Sequence, residues 1–436
     1  MQLKYSAPRG TEDFLPARVQ LLNWIHAACR QELERHGYLE IRPPLFEDTS
    51  LFRRAIGDVT DVVEKEMFTC ERGDTSVTFR PEATAGVARA YIENKLDKVR
   101  PFQKFYYIGP MFRFERPQAA RQRQFEQVGV EAIGSHDPRL DAEVLHLAAR
   151  LLDCLGIVGY RILINTLGDK DDRAQYRTAL GAFVRPRLAS FCAECQARFE
   201  RNIFRLLDCK NRDCQRQLEG APSLVDSASA ATRQHFTEVQ NALGALGRSF
   251  EVDPRIVRGL DYYTHTVFEL RLPGLGARDT LVGGGRYDDL LEELGGPQVP
   301  AIGFSLGVTG TLLALEKAGI AEKHSREPAC TVFIVAIDDQ ERLAALVLAN
   351  ELRQNGLVVD LDFENKSPKA QLRSAGKRDA RIVLVLGESE RSRGVIQVKN
   401  MDDGSQHELP MDGDLAFELQ RMLEGGNAGQ RSGENG

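Results

Sequence analysis

The 436-residue sequence lacks a long apolar stretch: no hydrophobic run approaches the roughly 20 residues that a helix needs to cross a bilayer. The N-terminus, MQLKYSAPRGTED, also lacks the apolar core of a secretion signal. An excess of positive charge is missing as well, since the formal net charge is −6. We therefore expect a cytoplasmic protein that does not coat nucleic acid with its whole surface, while a local basic site stays compatible with this charge.

The composition that is present is typical of a globular enzyme, with 42% hydrophobic and 28% charged residues. A chain of this length exceeds one ordinary hydrophobic core, so we expect two or three domains. Four of the eight cysteines are scattered singly, and we expect them to be reduced, small apolar side chains: Cys29, Cys70, Cys154 and Cys330.

The other four cysteines form two pairs, CAEC and CKNRDC, which contribute Cys192, Cys195, Cys209 and Cys214. Successive members are separated by two, thirteen and four residues. This spacing suits a tetrahedral Zn²⁺ site made of four thiolates, although the second pair is wider than usual. The alternative is that the thiols are free and pack a small helical insertion.

The order of apolar patterns indicates three regions. Helix and strand patterns alternate up to about residue 326, interrupted by a charged, helical insertion at about 171–250 that contains the cysteine pairs. Residues 328–424 alternate short apolar strands with helices, as in a small α/β domain with parallel strands. Residues 425–436, rich in Gly and polar residues, have the composition of a disordered tail.

Two neighbouring strand patterns carry an unusual polar face. In MFRFER, strand alternation puts Arg113 and Glu115 on one side, and in RQFEQVGVE it puts Gln127 and Glu131 on one side. Because a buried carboxylate needs partners, these residues predict a wet pocket rather than a core. The strands are joined by an arginine-rich connection that suits a bound polyphosphate, with Arg116, Arg121 and Arg123.

Three shorter segments add candidate site residues. RPEATAG (residues 80–86) offers a carboxylate at the start of a helix, and GGGRYDD (283–289) is interpreted as a flexible turn able to cradle a ligand. RGLDYYTHTVFEL (258–270) opens a strand with a polar, aromatic corner that core packing alone would not select. The alternative is that Tyr262 and Tyr263 are plain packing residues and that Arg258 is a surface charge.

These segments together resemble one family. Arg113, Phe114 and Glu115 with the basic loop look like the second signature motif of class II aminoacyl-tRNA synthetases, and RPPLFEDTSLFRRAIG resembles the first, with Pro44 at a dimer interface. RGLDYYTHTVFE and GGGRYDDLLEELGG resemble segments peculiar to histidyl-tRNA synthetases, and PRGTEDFLP and RPEATAG match as well. The resemblance covers nearly the whole chain, and the joint order and spacing of the motifs is highly specific.

The resemblance implies an α+β catalytic domain on an antiparallel sheet of the class II type, with a helical insertion, followed by an anticodon-binding-like α/β domain. It implies that Arg258 and Arg113 are catalytic and lie at the α-phosphate. It implies an ATP site that includes Arg113, Glu115 and Arg121. The histidine site that it implies comprises Glu82, Ala83, Thr84, Arg113, Gln127, Glu131, Arg258, Tyr262 and Tyr263.

The implied reaction has two steps: L-histidine and ATP give histidyl-adenylate, and the histidyl group then passes to the 3′ end of tRNA(His). Mg²⁺ would accompany ATP, and a homodimer is expected. One position departs from the family, because Gly310 stands where the third class II motif has an arginine against the γ-phosphate. Three outcomes are open: a neighbouring arginine, Arg121 or Arg123, reaches the γ-phosphate, or ATP is held loosely, or the protein is a copy with little activation activity. Because every histidine-contacting position is present, we expect an active enzyme with weakened ATP binding.

Two other functions compete with this interpretation. The first is an inactive paralogue that binds histidine as a regulator, like the regulatory subunit of ATP phosphoribosyltransferase, but such subunits typically lack the anticodon domain. The second is a synthetase for another amino acid, which RGLDYYTHTVFE disfavours.

Overall fold

The computed structural model describes residues 5–57, 60, 62–115, 122–257, 260–275, 279–325, 330–411 and 414–428. The chain separates into two compact units, Met1–Ser325 and Arg326–Gly436. Within the described residues, no helix is both long and apolar enough to cross a membrane.

The first unit is built on strands β1 (Leu39–Glu40), β2 (Phe46–Asp48), β3 (Phe68–Arg72), β4 (Thr75–Phe79), β5 (Gln103–Phe112), β6 (Gln124–Ile133), β7 (Arg161–Thr166), β8 (Glu251–Val252), β9 (Thr264–Arg271), β10 (Thr280–Arg286) and β11 (Ala301–Gly307). Eight of them form a sheet of order β1-β5-β6-β11-β10-β9-β7-β8. Its inner pairs are antiparallel, and β1 and β8 pair in parallel at the edges. The predicted antiparallel sheet is thus confirmed, with parallel edges.

The helices of this unit are α1 (Pro16–Arg35), α2 (Thr49–Ile56), α3 (Thr84–Glu93), α4 (Leu96–Val99), α5 (Pro138–Cys154), α6 (Lys170–Val184), α7 (Ala193–Arg201), α8 (Arg212–Gln217), α9 (Leu224–Ser227), α10 (Ala230–Ala245), α11 (Leu290–Glu293), α12 (Val308–Lys317) and α13 (Ala321–His324). Helix α5 carries local signals at both ends: the Asp137 side chain accepts the Arg139 N–H at its start, and Gly156 follows its end with a φ of +74°. One face of the sheet packs on α1, α5 and α10, which leaves the other face for a pocket.

A small sheet of order β2-β4-β3 lies beside α2 and α3. Phe79 of β4 and Phe68 of β3 contact Phe112 and Phe114, with ring centroids 5.2 Å apart in both pairs. Phe112 and Phe114 therefore share a side, as alternation predicted. MFRFER is not a separate strand, because β5 runs through Gln103–Phe112 and Arg113 follows its end.

Helices α6 to α9 of the insertion have their own core, whereas α10 packs on the central sheet. Tyr176 and Leu180 of α6 pack there with Phe199 of α7 and with three of the paired cysteines. The rings of Tyr176 and Phe204 stack at 5.6 Å. The cysteine pairs thus lie inside this small core.

The second unit contains β12 (Val332–Ala336), β13 (Val359–Leu361), β14 (Ile382–Leu386), β15 (Val395–Asn400) and β16 (Gln406–Pro410), with α14 (Glu341–Gln354), α15 (Pro368–Lys377), α16 (Glu388–Ser392) and α17 (Leu415–Ala428). The sheet order is β13-β12-β14-β15-β16. The first three strands are parallel, as predicted, but β15 and β16 join antiparallel. Helix α17 extends past residue 424, where the composition predicts the start of the tail, and residues 429–436 lie outside the described part.

Candidate active site

A pocket lies on the face of the central sheet opposite α1 and α5. Val128 and Val130 of β6 point into the helix-covered core, whereas Gln127 and Glu131 line the pocket. Including its mouth, the cavity measures about 390 Å³. Segments far apart in sequence meet here because β6 lies between β5 and β11 in the sheet.

Glu131 is almost fully buried, with 1% of its surface exposed. Its carboxyl group accepts hydrogen bonds from the Thr84 hydroxyl, at 2.7 Å, and from the Tyr287 hydroxyl. Burial raises its pKa to about 8, the charge of Glu82 adds to the rise, and the two hydroxyl donors oppose it. The site therefore holds a carboxyl group whose ionisation depends on what occupies the pocket.

Glu82 is the second buried carboxyl group of the pocket and lies just before α3. One oxygen accepts the Thr84 N–H at 2.6 Å and the other accepts the Ala85 N–H at 3.1 Å. Burial raises the pKa of Glu82, and these hydrogen bonds to the N-terminus of α3 lower it. Two adjacent carboxyl groups make the pocket attractive to a cation.

Gln127 and Arg113 complete the polar lining. The Gln127 side-chain oxygen is buried, and no hydrogen-bond donor reaches it from the described residues. Arg113 donates its Nε–H to the Pro81 carbonyl at 2.8 Å and lies over the Phe125 ring, 5.6 Å from the centroid. The guanidinium is thereby held at the pocket, and the Gln127 oxygen is available to a donor on a ligand.

Three tyrosines form an aromatic wall. The ring centroids of Tyr262 and Tyr263 are 4.6 Å apart, and those of Tyr262 and Tyr287 are 5.7 Å apart. Burial raises the pKa of Tyr262 and of Tyr287 well above the usual value, so both hydroxyls keep their protons at neutral pH. The wall combines apolar ring surfaces, inclined to one another by 43° and 70°, with hydroxyl donors, which suits a small heteroaromatic ring.

Two glycines make room for these side chains. A Cβ at Gly303 of β11 would stand 2.0 Å from the Glu131 Oε2 atom. At Gly129 it would stand 2.2 Å from the Tyr107 ring, which faces it across the β5–β6 pair. Both glycines are therefore required by close approach of a side chain.

The structure gathers most of the predicted histidine-site residues in this pocket: Glu82, Thr84, Arg113, Gln127, Glu131, Tyr262 and Tyr263. Ala83 is buried in the adjoining core, and among the described residues that line the pocket neither Ala83 nor Glu115 is present. Arg258, Arg116 and Arg121 lie outside the described residues. Arg123 lies over the Phe114 ring, 3.8 Å from its centroid.

Sequence reasoning missed Tyr107 and Tyr287, which both line the pocket. Alternation along β5 could have indicated Tyr107, since it faces Gly129. Tyr287 was missed because GGGRYDD was interpreted as a flexible turn, which is wrong: its glycines belong to β10. The adjacent Arg286 is fully buried against Asp141, at 2.8 Å, and Asp288, at 3.1 Å, so it does not cradle a ligand.

The four paired cysteines converge in the insertion. Their sulfur atoms all lie within 4.8 Å of one another, and three of the four residues are buried. The Sγ atoms of Cys192 and Cys209 are 4.0 Å apart, and the Cys192 N–H donates to the Cys214 Sγ at 3.2 Å. In a tetrahedral Zn²⁺ site, bonds of about 2.3 Å put sulfur atoms about 3.8 Å apart, so the donor set fits this ion.

The wide spacing of the second cysteine pair has a local explanation. The Asn211 side chain caps α8 by accepting the Asp213 N–H at 2.8 Å. This short helix turns Cys214 back toward Cys209 and the first pair. Gly310, where the motif resemblance leads us to expect an arginine, lies in the first turn of α12, and a Cβ there would stand 3.2 Å from the Leu281 side chain.

Comparisons with known proteins agree with this geometry. Residues 10–310 match the family model for histidyl-tRNA synthetase, and residues 331–417 match the anticodon binding domain. A histidine–tRNA ligase of Bacillus cytotoxicus is 44% identical over 95% of this chain and 99% of the relative, and one of Anoxybacillus flavithermus is 45% identical over 94% and 97%. The apo histidyl-tRNA synthetase of S. aureus is 37% identical, with a TM-score of 0.78 over 95% of this chain and 99% of that chain.

The family model covers more than half of the chain, and the relatives match almost all of it. The resemblance stated from the motifs is therefore confirmed, as is the fold class: a class II catalytic domain with a helical insertion, followed by an anticodon-binding domain with its own sheet. This chain belongs to the histidyl-tRNA synthetase family.

Proposed function

We propose that this protein is a histidine–tRNA ligase, which activates L-histidine with ATP and transfers the histidyl group to tRNA(His). The observation that carries the proposal is the buried Glu131 carboxyl group, held by Thr84 and Tyr287 beside the aromatic wall. A ring N–H that meets this carboxylate gains a strong hydrogen bond, while an apolar side chain of the same size leaves it unpaired. The pocket is thus selective for imidazole.

The remaining lining fits the other end of the amino acid. Glu82 and the unpartnered Gln127 oxygen offer acceptors to the α-ammonium group, and Thr84 lies between Glu82 and Glu131. Tyr262 and Tyr263 would pack on the faces of the imidazole ring. Arg113 lies where the carboxylate and the α-phosphate would meet, since its guanidinium is fixed at the pocket by Pro81.

In the first step, a histidine carboxylate oxygen attacks the α-phosphorus of ATP and pyrophosphate leaves. In the second, the terminal ribose hydroxyl of the tRNA attacks the adenylate carbonyl carbon and AMP leaves. Positioning and charge stabilisation carry both steps without a protein nucleophile. Arg113 serves this role on one side, and the motif resemblance assigns Arg258 to the other. Glu115 and Arg121 would bind the nucleotide, with Mg²⁺ on its phosphates.

The second unit would bind the tRNA. The basic stretch at residues 366–381 is partly neutralised, because Lys366, Arg378 and Arg381 pair with acidic residues. Lys369, Arg373 and Lys377 are exposed and recur every four residues along α15, so they share one face. Such a cationic stripe suits the phosphate backbone of RNA.

A homodimer is supported by the segment that resembles the first class II motif. Pro44 is exposed and is followed by two exposed apolar side chains, Leu45 at 43% and Phe46 at 53% exposure. Adjacent exposed apolar residues of this kind are typical of a protein–protein interface. A second copy of the chain would cover them.

We propose Zn²⁺ as the ion of the cysteine cluster, because four converging thiol groups and an N–H donor to one sulfur fit a structural tetrathiolate site. The alternative that these thiols merely pack the insertion is disfavoured by their convergence within 4.8 Å.

The function is tested by charging tRNA with labelled histidine. The purified protein should attach histidine to a tRNA pool and should attach none of the other amino acids. Absence of charging with any amino acid would favour the histidine-binding regulator, and charging with a different one would show that Glu131 does not select imidazole.

A further inference from the structure

The helical insertion contacts, at two points, the loop that carries two of the three tyrosines of the aromatic wall, Tyr262 and Tyr263. The loop comprises residues 260–263. At its first contact, the Asn202 side chain donates a hydrogen bond from Nδ2 to the Asp261 Oδ1 atom, at 2.9 Å. At the other end, Arg173 of α6 donates to the Tyr263 carbonyl at 3.0 Å. The insertion therefore holds this loop on both sides of Tyr262.

Asp261 is confined on its other sides as well. Its N–H donates to the Ile56 carbonyl at 3.2 Å, and its carboxylate lies so close to Gly57 that a Cβ there would stand 2.7 Å from Oδ2. A displacement of the Asp261 side chain is therefore passed to the backbone of its neighbour, Tyr262, since the side chain has little room to move alone.

Asn202 lies midway between the two cysteine pairs. Helix α7 begins after Cys192, carries Cys195 and ends one residue before Asn202. A single 3-10 turn, Ile203–Leu206, then leads toward Cys209. An ion bound by both pairs would fix the two flanks of Asn202, and its amide with them.

We infer that the metal-bound cysteine cluster positions the aromatic wall of the histidine pocket through Asn202 and Asp261. The inference rests on the proposed function and assigns the metal a role in histidine binding. Asn202 is a positioning residue: it does not line the pocket, and it acts on Tyr262 through Asp261. Loss of the metal should loosen the wall without removing any residue that touches histidine.

The test compares three variants with the wild-type protein in histidine-dependent ATP–pyrophosphate exchange and in calorimetric histidine binding. Asn202→Ala should lower kcat/KM for histidine about tenfold, since a small misplacement of a positioning group costs between one and two orders of magnitude. The KM for ATP should stay within about twofold of the wild-type value. The zinc content should remain at one ion per chain. Gln196→Ala, in helix α7 just before Asn202, removes a side chain that donates to the nearby Phe191 carbonyl and has no bond to the 260–263 loop among the described residues, so it should match the wild type.

Asn202→Asp separates positioning from simple space filling. It has nearly the shape of asparagine but puts a second carboxylate against Asp261, so it should be worse than Asn202→Ala. If Asn202 only fills space, the aspartate variant will be the better of the two, which contradicts the inference.

Zinc is measured directly by mass spectrometry and then removed with a chelator. Removal should lower histidine affinity by about the same factor as Asn202→Ala, and added Zn²⁺ should restore it. Purified protein without zinc, or metal-free protein with unchanged histidine affinity, overturns the inference while leaving the proposed function intact. Failure of wild-type exchange would instead count against the function, and calorimetry would still test the coupling.

Discussion

Glu131 is the residue on which the proposed selection of histidine depends. Its carboxyl group is buried next to Glu82, and its two hydrogen-bond donors, Thr84 and Tyr287, come from distant parts of the sequence. The sequence alone indicated that Glu131 faces a pocket, because strand alternation grouped it with Gln127. Its partners depend on long-range packing, so Tyr287 was not found from local pattern.

The raised pKa of Glu131 makes a prediction about stability. In the unfolded chain this group loses its proton above about pH 4.5, whereas the free folded protein keeps it up to about pH 8. The folded state therefore binds more protons in this window, and the free energy of unfolding falls as the pH rises through it. Glu131→Gln cannot ionise, so its melting temperature relative to wild type should rise from pH 5 to pH 8 and level off above. A constant difference across this range would mean that Glu131 is ionised in the free protein.

At the scale of elements, strand β11 leaves the space that the side chains of the pocket need. Gly303 lets the Glu131 carboxyl group lie against the strand, and Ser305 and Phe304 continue the lining. The ends of helices such as α5 are readable from sequence, because caps such as Asp137 and terminal glycines such as Gly156 are local signals. The sequence did not indicate why glycine is needed in β10 and β11, because the atoms that would clash with a larger side chain lie on neighbouring strands. At Gly284, for example, these atoms belong to the Gly303 carbonyl and the Phe304 side chain.

Gly303→Ala should damage histidine binding. The new methyl group would stand 2.0 Å from the Glu131 Oε2 atom and 2.3 Å from the Val130 carbonyl oxygen, so the carboxylate must move and β11 must shift against β6. We expect at least a tenfold higher KM for histidine and a loss of about 1–3 kcal/mol in stability. Gly307→Ala, in the same strand, is the matched control, since its Cβ would meet nothing nearer than 3.9 Å. Equal effects of the two substitutions on the histidine KM would contradict this reasoning.

Helix α12 carries Gly310, at the position where the resemblance to the third class II motif leads us to expect an arginine. Without a cation in its first turn, the enzyme should show a raised KM for ATP and a near-normal KM for histidine, and Gly310→Arg should lower the ATP value. The Leu281 side chain must yield slightly, because it would lie 3.2 Å from the new Cβ atom. Thr309→Arg controls for added charge alone and should not help. A Gly310→Arg enzyme with an unchanged KM for ATP would show that the γ-phosphate does not approach this turn.

At the scale of the whole molecule, the two units have separate cores. The buried clusters that contain the pocket lie before Ser325, and those of the second unit lie after it. This division was visible in the sequence as a change of pattern near residue 326. The sequence could not indicate which basic residues of 366–381 are free to meet RNA, because the acidic partners of Arg378 and Arg381 come from other elements.

Deleting residues 328–436 should spare histidine activation and cripple tRNA charging. The first unit keeps the pocket, the insertion and their cores, whereas the cationic face of α15 is lost. Pyrophosphate exchange and tRNA charging, measured on the same preparation, separate the two effects. A full-length variant with alanine at Lys369, Arg373 and Lys377 should weaken charging in the same direction, and undiminished charging by the truncated protein would refute the role of the second unit.

The central claim is that this pocket selects histidine and activates it. ATP–pyrophosphate exchange, measured with each of the 20 amino acids in turn, tests it most directly. We predict exchange with histidine alone, and a Glu131→Gln variant with a KM for histidine raised by at least tenfold and a KM for ATP changed far less. Exchange with another amino acid, or none at saturating ATP and histidine, would contradict the account.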